Sequence, residues 1–190
     1  MVHTFSTKLP MGIVAPDFEL EDIISGKTIS LQHLKSNKAT VLMFICNHCP
    51  YVKHINETIA KLTNEYISKG IVFAAISSND AEAFPSDSPI ELKKQAIEFG
   101  FKFPYLYDAT QQVAKAYKAA CTPDFFIFDE NLKLIYHGQL DDSRPNNNEP
   151  KDGKDLRTAI NSYLTRNVVV ENQQPSSGCN IKWKAGISPF

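Results

Sequence analysis

The apolar positions of this chain change period several times, and each change marks an element. Ala39 to Ile45 is a continuous apolar, partly β-branched run, the pattern of a strand buried on both faces. Val52, Ile55, Ile59, Leu62 and Tyr66 then recur at helical spacing, with Lys53, Glu57, Lys61 and Glu65 on the opposite side. This predicts a core-facing helix of roughly five turns. Gly70 is its stop signal, and Pro50 sits early in it, where a missing N–H costs little. Ile71 to Ser77 is a second buried run. Strand, helix and strand in that order predict a parallel pair with a right-handed crossover.

Residues 78–88 are polar and read as a loop. Ser88-Pro89-Ile90-Glu91 combines a cap residue, a proline at the first helical position and a glutamate at the third, so a helix should run to about Phe99 and stop at Gly100. Phe103 to Tyr107 is a short strand. Asp108-Ala109-Thr110-Gln111 repeats the capping pattern and opens a helix to about Lys118. Asp124 to Phe128 and Leu132 to Gly138, joined by Asp129-Glu130-Asn131, predict an antiparallel hairpin. Asp155 to Thr165 is a last amphipathic helix after a polar surface loop over 141–153. Upstream, Ala15 to Leu20 and Thr28 to Leu31 flank the turn Ser25-Gly26-Lys27 as a small hairpin behind an extended leading segment. The expected fold is α/β, a mixed central sheet flanked by helices, with an N-terminal hairpin and a C-terminal extension. Residues 1–166 form the domain, and the 167–190 tail, with the single tryptophan Trp183, packs back on it.

A length of 190 residues buries a substantial core without disulfide staples. The net charge is −1 and the basic residues are scattered, which excludes nucleic acid and an anionic membrane as partners. No apolar run approaches the roughly 18 residues of a membrane span. The N-terminus lacks the basic and apolar regions of a signal peptide, so the expected compartment is the cytoplasm. Cysteines there are kept reduced, and a Cys-x-x-Cys pair points to catalysis or metal rather than to a staple.

That pair is Cys46-Asn47-His48-Cys49, between the first buried strand and the long helix. A thiol at a helix N-terminus is held as thiolate, the nucleophilic form. Cys46, expected just before the helix, is the attacking thiol, and Cys49, expected one turn in, resolves the mixed disulfide. His48 is expected to donate to the Cys46 thiolate and make the couple more oxidising. The competing reading is structural zinc, but Cys121 and Cys179 do not form a second Cys-x-x-Cys. No metal and no organic cofactor is implied. No acid lies in 38–45, so the sequence names no carboxylate to serve as base for Cys49.

Cys46-Asn47-His48-Cys49 after a core strand, with Thr122-Pro123 before another strand, resembles the thioredoxin superfamily. The resemblance implies a cis Thr122–Pro123 bond facing the dithiol and holding a partner peptide by its backbone. Thr122, Asn47 and Pro50 are then substrate-binding positions beside Pro123, and Cys121 lies near the dithiol. Gly12 and Ala15 to Leu20 ahead of Ile29-Ser30-Leu31 resemble the opening of the peroxiredoxin-like branch, of alkyl hydroperoxide reductase and thiol-specific antioxidant type. A peroxiredoxin site itself resembles Pro-x-x-x-Thr/Ser-x-x-Cys with a distant arginine. Aligned on Cys49, this chain has Leu42 for the proline and Cys46 for the Thr/Ser, and no arginine just before Phe125.

The reading is a thiol–disulfide oxidoreductase exchanging electrons with protein dithiols and disulfides, its reductant a thioredoxin or glutathione system. Two other functions stay open: a thiol peroxidase acting on peroxides, and a non-catalytic binding or metal-binding module. Cys121 and Cys179 are candidate accessory thiols; for Cys179 an idle thiol in a docked tail is the competing reading.

Overall fold

The computed structural model describes residues 3–187. Strand β4 (Ala39–Phe44) is central in the sheet, and alternate side chains on it enter two separate cores. Val41 and Met43 meet helices α2 (Pro50–Ile67), α3 (Pro89–Phe99) and α5 (Lys154–Arg166); Leu42 and Phe44 meet α1 (Leu31–Leu34) and α4 (Gln112–Ala116). A strand covered on both faces has no polar side, which is why the run reads as continuously apolar.

The other strands are β1 (His3–Phe5), β2 (Glu19–Asp22), β3 (Thr28–Ser30), β5 (Val72–Ser77), β6 (Tyr105–Tyr107), β7 (Cys121–Thr122), β8 (Asp124–Asp129), β9 (Leu134–Gly138) and β10 (Ser177–Asn180). The main sheet has the order β3-β2-β6-β5-β4-β8-β9. β4 and β5 are parallel, as expected of strands joined by α2, and β8–β9 is the expected antiparallel hairpin. The N-terminal hairpin pairs β2 with β3, its first strand four residues later than the alternation from Ala15 suggests.

The structure departs from the pattern at three places. α4 begins at Gln112 rather than after an Asp108 cap, because Gln111 takes a left-handed φ of 61°. The Asp108 carboxylate instead accepts from the Ser78 hydroxyl and the Ala114 N–H, both at 2.9 Å. Ser88 stands at the N-cap of α3, but its hydroxyl makes no capping bond. The third departure is a second, three-stranded sheet, β1-β10-β7, built from both ends of the described chain and the short strand before β8.

That small sheet is tightly closed. A Cβ placed on Gly178 in β10 would lie 2.0 Å from the Thr122 carbonyl oxygen and 2.8 Å from its carbon. Neither is the yielding end of a side chain. Gly178→Ala is therefore expected to destabilise the fold by about 2 kcal/mol and to loosen β10. Urea denaturation with limited proteolysis of the tail checks this; unchanged stability and protection would contradict the close fit.

Candidate active site

Three connections meet at one end of the sheet for a topological reason. β4 and β5 are parallel, so the loops after them leave at the same end. β8 runs antiparallel to β4 with Asp124 opposite Phe44, which brings Thr122 and Pro123 to that end as well. Residues 45–49, 78–88 and 120–123 thus converge, and β10 lies across them through its pairing with β7.

The Thr122–Pro123 bond is cis. Thr122 is shared by the two cysteines. Its Oγ1 lies 3.4 Å from Cys46 Sγ, and its carbonyl oxygen lies 3.2 Å from Cys49 Sγ. Both sulfurs are fully buried. Gln95 donates to the Cys46 carbonyl at 3.3 Å and is itself held by Asn56 and Tyr105, so the strand end is fixed by a buried polar chain.

The helix boundary reverses one expectation. α2 begins at Pro50, so Cys49 is its N-cap and not a residue one turn in; Cys46 lies three residues before that cap. Charge follows the boundary. Hydrogen bonds from the Cys179 and Cys46 thiols, aided by backbone N–H groups of Val52 and Cys179, hold the Cys49 thiol down at about 2. Burial, the Cys49 sulfur and the Asp87 carboxylate push Cys46 upward. These surroundings favour the ionised form of Cys49 over that of Cys46. In that state Cys49 accepts bonds; as a neutral thiol it would donate to the Thr122 carbonyl instead.

Asp87, which sequence reasoning left inside a polar loop, is the buried carboxylate of the site. It closes a 3-10 turn, Pro85–Asp87, and is fully buried. It accepts from the backbone N–H groups of Asn47 at 2.8 Å and His48 at 2.9 Å, from the Asn79 amide at 2.8 Å and from His48 Nδ1. Burial pushes its pKa up, yet these bonds outweigh burial and leave it below the ordinary carboxylate value. The signal that could have found it is an Asp in the loop that a parallel neighbour of β4 sends to the cysteine end.

His48 Nδ1 sits between Asp87 and Cys46. Its Nδ1 hydrogen is committed to Asp87, Cys46 Sγ is 4.0 Å away, and the ring stacks on Phe84 at 5.3 Å. Asn47 ties the loops together through its amide bond to the Ser86 carbonyl at 3.0 Å. Pro50 is exposed at the first helical position. Pro123 is buried, with Gly178 of β10 against it. Of the accessory thiols, Cys179 contacts Cys49, while Cys121 points to the Pro123 carbonyl at 3.9 Å. Cys46 Sγ, His48 Nδ1 and an Asp87 oxygen lie within 4.8 Å of one another, the described residues' one grouping with metal-ligand atoms.

The sheet order and the likeness to solved structures give the chain a thioredoxin-like fold. The protein-family model described as the AhpC/TSA family matches residues 11–137, and the chain belongs to that family. An uncharacterized conserved protein from Geobacillus kaustophilus is 54% identical, with 98% of this chain and 99% of that one covered at a TM-score of 0.96. A hypothetical protein from Sinorhizobium meliloti 1021 is 45% identical over 96% of this chain and 100% of that one, TM-score 0.93. Thiol-disulfide oxidoreductase ResA of Bacillus thuringiensis (strain Al Hakam) is 27% identical over 128 residues, 67% of this chain and 69% of the relative. Among the described residues no helix is long and apolar enough to cross a membrane.

Proposed function

We propose that this protein is a thiol–disulfide oxidoreductase whose two-electron couple is Cys46–Cys49, acting on protein disulfides and regenerated by an external dithiol of the thioredoxin or glutathione kind. The observation that carries the reading is the pair of thiols set on either side of Thr122, one at a helix N-terminus with backbone donors directed at its sulfur. Cys49 attacks a substrate sulfur, and one substrate sulfur leaves as thiolate. Cys46 then attacks Cys49 in the mixed disulfide, releases the second substrate thiol and leaves the Cys46–Cys49 disulfide. We assign the attack to Cys49 rather than to Cys46 because Cys49 caps the helix that starts at Pro50. Asp87 and Asn47 position the loop, and Thr122 and Pro123 form the floor beneath the sulfurs. The ResA relative supports this reaction class by its name. A reducing, cytoplasmic setting belongs to the same reading.

Both sulfurs are covered in this conformation and β10 lies against Pro123. A partner disulfide therefore reaches Cys49 when β10 parts from β7.

Peroxide is a poorer substrate for this site. Arg144 spends its guanidinium on the carbonyls of Asp141 and Ser143 and on the Gln139 side chain. The test compares dithiothreitol-driven reduction of insulin with dithiothreitol-driven consumption of hydrogen peroxide. The expected result is acceleration of the first and not the second; the opposite pattern makes the protein a peroxidase.

A further inference from the structure

Cys49 has a thiol on each side. One is Cys46. The other comes from the far end of the chain, where β10 aligns Cys179 directly opposite Thr122, the residue whose carbonyl touches Cys49 Sγ. Gly178 lets β10 press onto β7 without a side chain between them, and Cys179 is buried with the active pair in one cluster. The Cys179 side chain and backbone N–H both bond to Cys49. Nothing comparable holds for Cys121, whose thiol is turned to the Pro123 carbonyl.

We propose that Cys179 is a third redox thiol of this centre, resolving the mixed disulfide on Cys49 when β10 re-pairs with β7. The inference rests on the oxidoreductase reading above and adds a second way out of the same intermediate. Cys49 thiolate first displaces one substrate sulfur, forming a Cys49–substrate disulfide. The Cys179 sulfur then attacks Cys49 Sγ. The Cys49–substrate bond breaks, the Cys49–Cys179 bond forms, and the Cys179 proton passes to the departing substrate sulfur. Two electrons have moved from two protein thiols to one substrate disulfide. An external dithiol restores the thiols, or Cys46 attacks Cys49 and frees Cys179 by isoelectronic exchange. The strand that must lift to admit a disulfide thus carries the thiol that finishes the reaction on its return.

The experiment uses the full chain, hydroxyethyl disulfide as oxidant, alkylation of remaining thiols, and mapping of non-reduced tryptic peptides. Cys46 and Cys49 share the peptide 39–53, and Cys179 lies in 167–182. In the Cys46→Ser variant the expected product is a covalent link between these two peptides, with little mixed disulfide. In Cys46→Ser/Cys179→Ser the link is lost and the mixed disulfide on Cys49 accumulates, and Cys121→Ser leaves the link intact. The proposal is overturned if Cys46→Ser stalls as the mixed disulfide with Cys179 still open to alkylation, while the wild type forms its 46–49 disulfide; the oxidoreductase reading then stands without it. If neither Cys46 nor Cys49 reacts in the wild type, both fall. Mapping the wild type for a 49–179 fraction guards against a misfolded variant: its presence supports the proposal, and its absence beside a stalled Cys46→Ser overturns it.

Discussion

Replacing Cys49 with serine is expected to lower disulfide exchange by roughly 10³-fold or more, because the change removes the sulfur at the helix N-cap, whose ionised form its surroundings favour. Hydroxyl oxygen at the same N-cap is a far weaker nucleophile, and the remaining thiol, Cys46, is buried and pushed toward its neutral form by its own burial and by Asp87. The companion variant Cys46→Ser/Cys179→Ser keeps the attacking sulfur but removes both neighbours, and should trap a stoichiometric mixed disulfide on Cys49. Mass spectrometry after reaction with a small disulfide reads both results. Trapping on Cys46 in the Cys49→Ser protein would reverse the order of attack. The pH dependence gives an independent view. Because its surroundings hold the Cys49 thiol well below its ordinary value, its thiolate is expected to persist on acidification. The first step should stay flat on acidification, whereas an ordinary thiol of pKa about 8.5 loses close to tenfold per pH unit below that value.

Removal of the Asp87 carboxylate is expected to cost about 3 kcal/mol in Asp87→Ala, since two backbone N–H groups, the Asn79 amide and His48 lose their common acceptor in a fully buried place. Urea denaturation measures it. Asp87→Asn keeps the shape and part of the bonding, and should fall between the alanine variant and the wild type. The pH sign follows from the depressed folded-state pKa. Stability from this group is fully present above its unfolded value of about 4 and is lost as pH falls through the lower folded value. The stability of Asp87→Asn should therefore decline less than that of the wild type over that acid range. The same substitution withdraws a negative charge that opposes ionisation of Cys46, so the Cys46 thiol should become more acidic. Equal acid sensitivity of the two proteins would place the acid-labile contacts elsewhere.

Much of this molecule is legible along the chain because local patterns record burial. The runs at β4 and β5 lack polar faces because helices cover both sides, and the apolar spacing from Val52 to Tyr66 maps onto the buried side of α2. Gly100 stops α3 in a left-handed conformation, as its place after the apolar stripe implies. The Cys-x-x-Cys at the strand end and the Thr122-Pro123 pair carried the thioredoxin-like resemblance that the fold bears out, and the cis bond it implied is present.

The chain by itself thus determined the αβ layers, the place of the paired thiols and the proline that faces them, since each depends on residues close in sequence or on burial periodicity. Tertiary structure alone decided which carboxylate lies beside the cysteines and where Cys179 lies. Asp87 reaches Asn47 and His48 only because β5 is parallel to β4, a relation no local pattern contains. β10 is written in Ser177-Gly178-Cys179-Asn180, without alternation or β-branched residues. Its pairing is made by backbone groups that every residue has, so the side-chain pattern could not announce it.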